Sequence, residues 1–77
     1  MERLVGLTEA FRLRKGMKIK LKEGTIEGGR TVELTSGYTQ DGVGYDCVFL
    51  DTNEVGFVCT IQLTSSEILE GEPYPEY

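Results

Sequence analysis

The chain contains no histidine and no tryptophan, and beyond Arg30 it contains neither lysine nor arginine. Without an imidazole, the commonest general base and zinc ligand is missing, which argues against an enzyme. No stretch approaches the roughly 18 consecutive apolar residues of a membrane-spanning helix, and "MERLVGLTEAF" lacks the basic-then-apolar layout of a secretory signal. Cysteine is limited to Cys47 and Cys59, too few for a disulfide framework and without the CxxC spacing of zinc or redox sites. The expectation is a non-enzymatic protein of the cytoplasm with no cofactor, no metal, no membrane partner and no direct nucleic-acid partner.

What is present is 77 residues, 39% hydrophobic and 27% charged. That is one small folded domain, near the size at which a single core supplies only about 3–5 kcal/mol of net stability. A second subunit would add burial, so a homodimer is an attractive arrangement. The charge is divided along the chain. Residues 1–30 hold all eight bases against four acids, and residues 31–77 hold nine acids and no base, giving a net −5.

Residues 8–15 read as a short helix. Thr8 can cap it, Glu9 suits the positive helix start, Arg14 and Lys15 suit its end, and Gly16 suits the left-handed position beyond it. Leu7, Ala10 and Phe11 would dock it on a sheet. The rival reading of the same residues is a strand, because Phe11 and Leu13 alternate with Arg12 and Arg14. From Met17 the period is two, with Met17, Ile19 and Leu21 on one face and Lys18, Lys20 and Lys22 on the other. A lysine ladder of this kind is a common guard on an edge strand. After the turn "EGTIEGG", the segment "RTVELTSGY" begins a second strand with Val32 and Leu34 inward.

Asp41-Gly42 is a two-residue hairpin signal, because type I′ turns favour residues that accept positive φ. Centred there, the hairpin pairs Gln40 with Val43, Tyr38 with Tyr45, Ser36 with Cys47 and Leu34 with Phe49. A three-residue loop at Thr52–Glu54 would then set Phe49 against Phe57, Cys47 against Cys59 and Tyr45 against Ile61, which keeps the apolar set on one face. The cysteines in that register could form a cross-strand disulfide if oxidised, but are expected as packed thiols. "TSSEILEG" has capping-box spacing from Thr64 to Glu67 and a glycine stop at Gly71, which predicts a helical turn. Residues 72–77 form an extended acidic tail beyond a domain of residues 1–71 and are expected to be mobile.

These elements predict a mainly β (α+β) fold: a small curved antiparallel sheet, or partly open barrel, of four or five strands with short helical pieces. The core would comprise Ile19, Val32, Leu34, Phe49, Phe57, Ile61 and Leu63. Val48, Leu50 and Val58 would cluster on the opposite face, among Glu33, Thr35, Asp46, Thr60 and Gln62, as a dimer or peptide patch. The run "LRKGMKIKLKEGT" resembles the opening strand and turn of SH3-like and Sm-like small barrels. That resemblance implies a module that binds a peptide or assembles through Tyr38, Tyr45 and the apolar patch.

"GTIEGG" has no Lys-Ser/Thr after it and is no phosphate loop. Asp41, Asp46 and Asp51 recur every five residues without the spacing of a calcium loop, and Ser65 and the cysteines have no histidine to activate them. Lys18, Lys20 and Lys22 lie roughly 7 Å apart along a strand, near the phosphate repeat of an extended single strand, but a solvated strand face explains them more simply. The base-free run from residue 31 is more telling. Its carboxylates, Glu33, Asp41, Asp46, Asp51, Glu54, Glu67, Glu70, Glu72 and Glu76, could line one side as phosphates do and occupy a basic DNA-binding protein. In size, acidity and lack of enzymatic residues the chain is similar to the small host-takeover proteins of bacteriophages, some of which mimic DNA and inhibit HU-type nucleoid proteins. That resemblance implies an inhibitor acting in the cytoplasm of a bacterial host.

Overall fold

A computed structural model describes residues 3–40 and 42–75. The fold is mostly β: one open antiparallel sheet whose strands are β1 (Lys18–Lys20), β2 (Thr31–Leu34), β3 (Gly44–Phe49), β4 (Glu54–Cys59) and β5 (Glu67–Glu70). Their order across the sheet is β4-β3-β2-β1-β5. A 3-10 turn (Glu9–Phe11) precedes the sheet, and one helical turn, α1 (Thr60–Leu63), lies between β4 and β5. The inner face is covered by the N-terminal segment and α1, so that Val5, Ala10, Leu13 and Leu63 meet Ile19, Val32, Leu34, Tyr45, Cys47 and Val58 in one core.

The period-two reading of β1 and β2 is realised. Met17, Ile19, Leu21, Val32 and Leu34 are all buried, and Ile19 pairs with Val32. The position of β1 is not the one its lysines suggested. β5 returns to pair with it, so β1 is an interior strand, and the edge on that side is β5. The N-terminal segment partly covers β5: Leu4 bridges to Glu67, and the Ile68 amide donates to the Arg3 carbonyl at 2.7 Å.

The helical reading of residues 8–15 shortens to the 3-10 turn, and Thr8 makes no side-chain cap. Ala10 docks as expected, whereas Leu7 and Phe11 are 73% and 50% exposed. Val5 and Leu13 fill the places foreseen for them. The tether is Tyr45, whose buried hydroxyl donates to the Ala10 carbonyl at 2.9 Å and accepts from the Leu13 amide at 3.1 Å.

The hairpin keeps the foreseen facing of Thr39 and Gly44 but slips further down. The foreseen two-residue turn is replaced by a longer loop, in which the Thr39 amide bonds the Gly44 carbonyl and the Gly42 amide bonds the Thr39 carbonyl, and the Thr35 amide bonds the Asp46 carbonyl. Leu34 therefore pairs with Cys47, and Val32 pairs with Phe49. A slip of two residues leaves every face unchanged.

The next register differs by an odd number, and that reverses β4. The loop is Leu50–Asn53, closed by the Asn53 amide on the Phe49 carbonyl, with Asn53 at φ 60°, a left-handed conformation that asparagine tolerates. Tyr45 then faces Val58, Asp46 faces Phe57, Cys47 faces Gly56 and Val48 faces Val55. Val58 is buried in the core, while Phe57 and Ile61, expected in the core, are 40% and 77% exposed. The cysteines are not partners: both are free thiols, and Cys59 lies opposite Gly44. Gly56 makes this register possible, because a Cβ there would come within 2.3 Å of the Phe49 ring.

The foreseen helical turn at residues 64–70 is instead β5, and the helical turn comes earlier, at α1. The Gln62 side-chain oxygen accepts from the Cys59 amide at 2.9 Å and so caps α1. Buried Ser66 donates to the Gln62 carbonyl and accepts from the Lys22 amide, joining α1 to the end of β1. The tail is extended as far as Pro75 but docked: the Tyr74 amide bonds the Arg12 carbonyl, and the Arg14 guanidinium sits 4.3 Å from the Tyr74 ring centre.

Candidate interaction surface

The outer face of the sheet has no layer of this chain over it among the described residues, and its pairing divides it into two unlike halves. Across β5, β1 and β2 the rows are charged. Lys18 lies between Glu70 and Glu33, and Lys20 lies between Glu67 and Thr31. Lys18 Nζ binds Glu70 at 2.9 Å, and this bond raises the lysine pKa, with Glu33 adding to the effect. The gathering of lysines in β1 thus has a structural cause, since opposite charges on neighbouring strands stabilise the sheet.

Across β3 and β4 the same face turns apolar. Val48 sits opposite Val55, Asp46 sits opposite Phe57, and Leu50 follows Val48 at the end of β3. Val55 is 81% exposed and Leu50 38%. Of the apolar patch foreseen from the sequence, Val48 and Leu50 belong to this face and Val58 does not; Val55 and Phe57 take its place. Tyr45 is buried and unavailable to a ligand. Tyr38 is half-buried, wedged edge-on between Phe11 and Tyr45 at centroid distances of 5.5 and 5.6 Å.

The candidate carboxylates are dispersed. Asp51 is held by Arg30, with Nη2 to Oδ1 at 2.8 Å and Nε to Oδ2 at 3.1 Å. The same guanidinium binds Glu27 and stacks 4.1 Å from the centre of the Phe49 ring. Hydrogen bonding from Arg30 lowers the Asp51 pKa below the usual carboxylate range. Glu70 is bound to Lys18, and Glu33 lies beside it. Asp46 lies in the apolar half opposite Phe57, Glu54 lies opposite Phe49 on the other face of the sheet, Glu67 sits on β5, and Glu72 lies at a cleft of about 450 Å³ also lined by Arg3, Arg12 and Pro73. Asp41 and Glu76 lie outside the described residues. The fold therefore brings Asp46 alone into the apolar half and leaves the other described carboxylates apart from it.

The residues missed by the sequence reading are Val55 and Phe57. Their signal was Gly56, since a glycine inside a strand marks a close approach of another group, here the Phe49 ring. No helix among the described residues is long and apolar enough to cross a membrane. No family model, no curated protein and no solved structure matches the chain.

Proposed function

We propose that the chain is a non-enzymatic interaction module that holds a partner protein against the apolar half of its open face. The observation that carries this reading is Val55, a β-branched residue near the start of β4 that is 81% exposed, with Phe57 and Leu50 also exposed on the same face. Each such side chain contributes about 1.5–3 kcal/mol when fully buried, so covering this patch is the largest hydrophobic gain the outer face offers. The return of β5 to β1 after a helical turn supports an SH3-like assembly module.

A second reading, a phage-type inhibitor that mimics DNA and occupies an HU-like basic protein in the host cytoplasm, draws on the net −5. It also draws on Asp46, Glu54, Glu67 and Glu72, which take no part in the ion pairs among the described residues. Arg30 and Lys18 weaken it by engaging Asp51 and Glu70.

The two readings respond oppositely to salt, because screening weakens a charged contact and spares an apolar one. The test is capture from a bacterial lysate at low and high salt with the unaltered chain, Val55→Lys and Asp46→Lys as baits. The expected partner stays bound at high salt, is lost with Val55→Lys and is retained by Asp46→Lys. Basic nucleoid proteins released by salt, lost with Asp46→Lys and kept by Val55→Lys would replace this reading with mimicry.

A further inference from the structure

The two edges of the sheet are finished differently. β5 is partly covered by the N-terminal segment, whereas β4 ends the sheet with no strand beyond it among the described residues. Sheet edges are ordinarily guarded by lysine, proline, a bulge or a covering segment. Residues Glu54–Cys59 read EVGFVC and contain neither lysine nor proline.

The direction of each amide along β4 follows from its neighbours. The Leu50 amide bonds the Thr31 carbonyl, and the Thr35 amide bonds the Asp46 carbonyl, so even-numbered residues of β3 bond to β2. Odd-numbered ones turn to β4, where Tyr45, Cys47 and Phe49 meet Val58, Gly56 and Glu54. Alternation along an antiparallel strand then aims the N–H and C=O groups of Val55, Phe57 and Cys59 off the free edge. The Cys59 amide is capped by Gln62. Val55 and Phe57 are the open positions.

We propose that β4 pairs with β4 of a second copy, antiparallel about a two-fold axis at Gly56, with Val55 of each copy exchanging backbone hydrogen bonds with Phe57 of the other. This register uses the open amides of both copies. A shift by one residue would set outer-face side chains against inner-face ones. Centring on Phe57 would need the Cys59 amide that Gln62 already occupies. Glu54 would lie opposite Val58 of the second copy, so no like charges meet, and the charged halves of both sheets stay at the far ends. The paired edges measure roughly 20 Å by 10 Å and bury on the order of 400 Å² in all, against about 1,200 Å² for a stable complex. The dimer is accordingly weak and concentration-dependent. Because each copy carries a net negative charge, added salt strengthens the pairing. Self-pairing is independent of the docking of a foreign partner and is measured on the purified chain alone.

The test is sedimentation equilibrium from about 10 μM to 1 mM, with amide hydrogen exchange at both ends of that range, on the unaltered chain and on Val55→Lys. The range spans the affinities of weak complexes. The expected result is a mass rising from 8.6 kDa toward twice that value, with exchange at Val55 and Phe57 slowing at least several-fold as concentration rises. Val55→Lys should stay monomeric with the same near-ultraviolet spectrum. A chain that stays monomeric throughout overturns the proposal. So does self-association that Val55→Lys leaves intact, or one in which those amides exchange no more slowly.

Discussion

Tyr45 joins the N-terminal segment to the sheet through one oxygen, which donates to the Ala10 carbonyl and accepts from the Leu13 amide. Burial raises its pKa, so the phenol stays protonated and able to donate. Tyr45→Phe removes both bonds and leaves a buried carbonyl and amide without partners, which costs about 1–3 kcal/mol. Urea unfolding should show a lower midpoint, and an unchanged one would contradict this tether. Arg30 acts similarly between the β1–β2 and β3–β4 loops, and its hydrogen bonds lower the Asp51 pKa. A depressed carboxyl contributes stability that is fully present above the ordinary carboxylate range and is lost as pH falls through its lowered value. Carboxyl NMR should show Asp51 titrating at lower pH than is usual for aspartate, and Arg30→Gln should return it to the ordinary range. Titration of Asp51 at the usual value in the unaltered chain would contradict the clamp.

At the scale of elements, Gly56 decides how β4 sits. Gly56→Ala would push a methyl group into the Phe49 ring and disturb the Arg30 stack on that ring, an overpacking that costs about 1–3 kcal/mol. Chemical unfolding should show that loss, and full stability would mean that Phe49 lies elsewhere. This strand was also the least legible in the sequence. β1 and β2 could be read because apolar and polar residues alternate strictly, so a single face satisfies burial. EVGFVC has large apolar side chains on both faces, and matching apolar pairs alone favoured a three-residue loop whose odd offset reversed the strand. The Asp41-Gly42 signal gave the register near the turn, at Thr39 and Gly44, but local turn chemistry does not report the slip around Ser36–Tyr38. Capping-box spacing at Thr64–Glu67 suggested a helix, yet pairing with β1 made those last residues a strand, tertiary contacts overriding a local motif. The lysines of β1 suggested an edge because the acids opposite them, Glu33, Glu67 and Glu70, come from distant parts of the chain.

For the molecule as a whole, the division of charge along the sequence is not a division in space. Bases from the first thirty residues are set beside acids from the rest: Lys18 lies between Glu70 and Glu33, and Lys20 lies next to Glu67. Of the candidate site, the sequence made Val48 and Leu50 legible together with the need for a cover; the cover's location was hidden until the facing of β4 was known. Because the N-terminal segment packs on the inner face, the β3–β4 half of the outer face stays uncovered among the described residues, and the binding proposed for it should survive high salt. The surface exists only if Val55 and Phe57 point outward, and cross-strand Hα–Hα nuclear Overhauser effects report that directly. In the register described, close Hα pairs join Asp46 with Phe57 and Val48 with Val55, the non-hydrogen-bonded positions of an antiparallel ladder. Detection of both pairs is the predicted result; cross-peaks joining Val48 with Val58 or Asp46 with Thr60, the non-hydrogen-bonded pairs of the rival register, would place Val58 outside, return Phe57 to the core and remove the apolar half of the face.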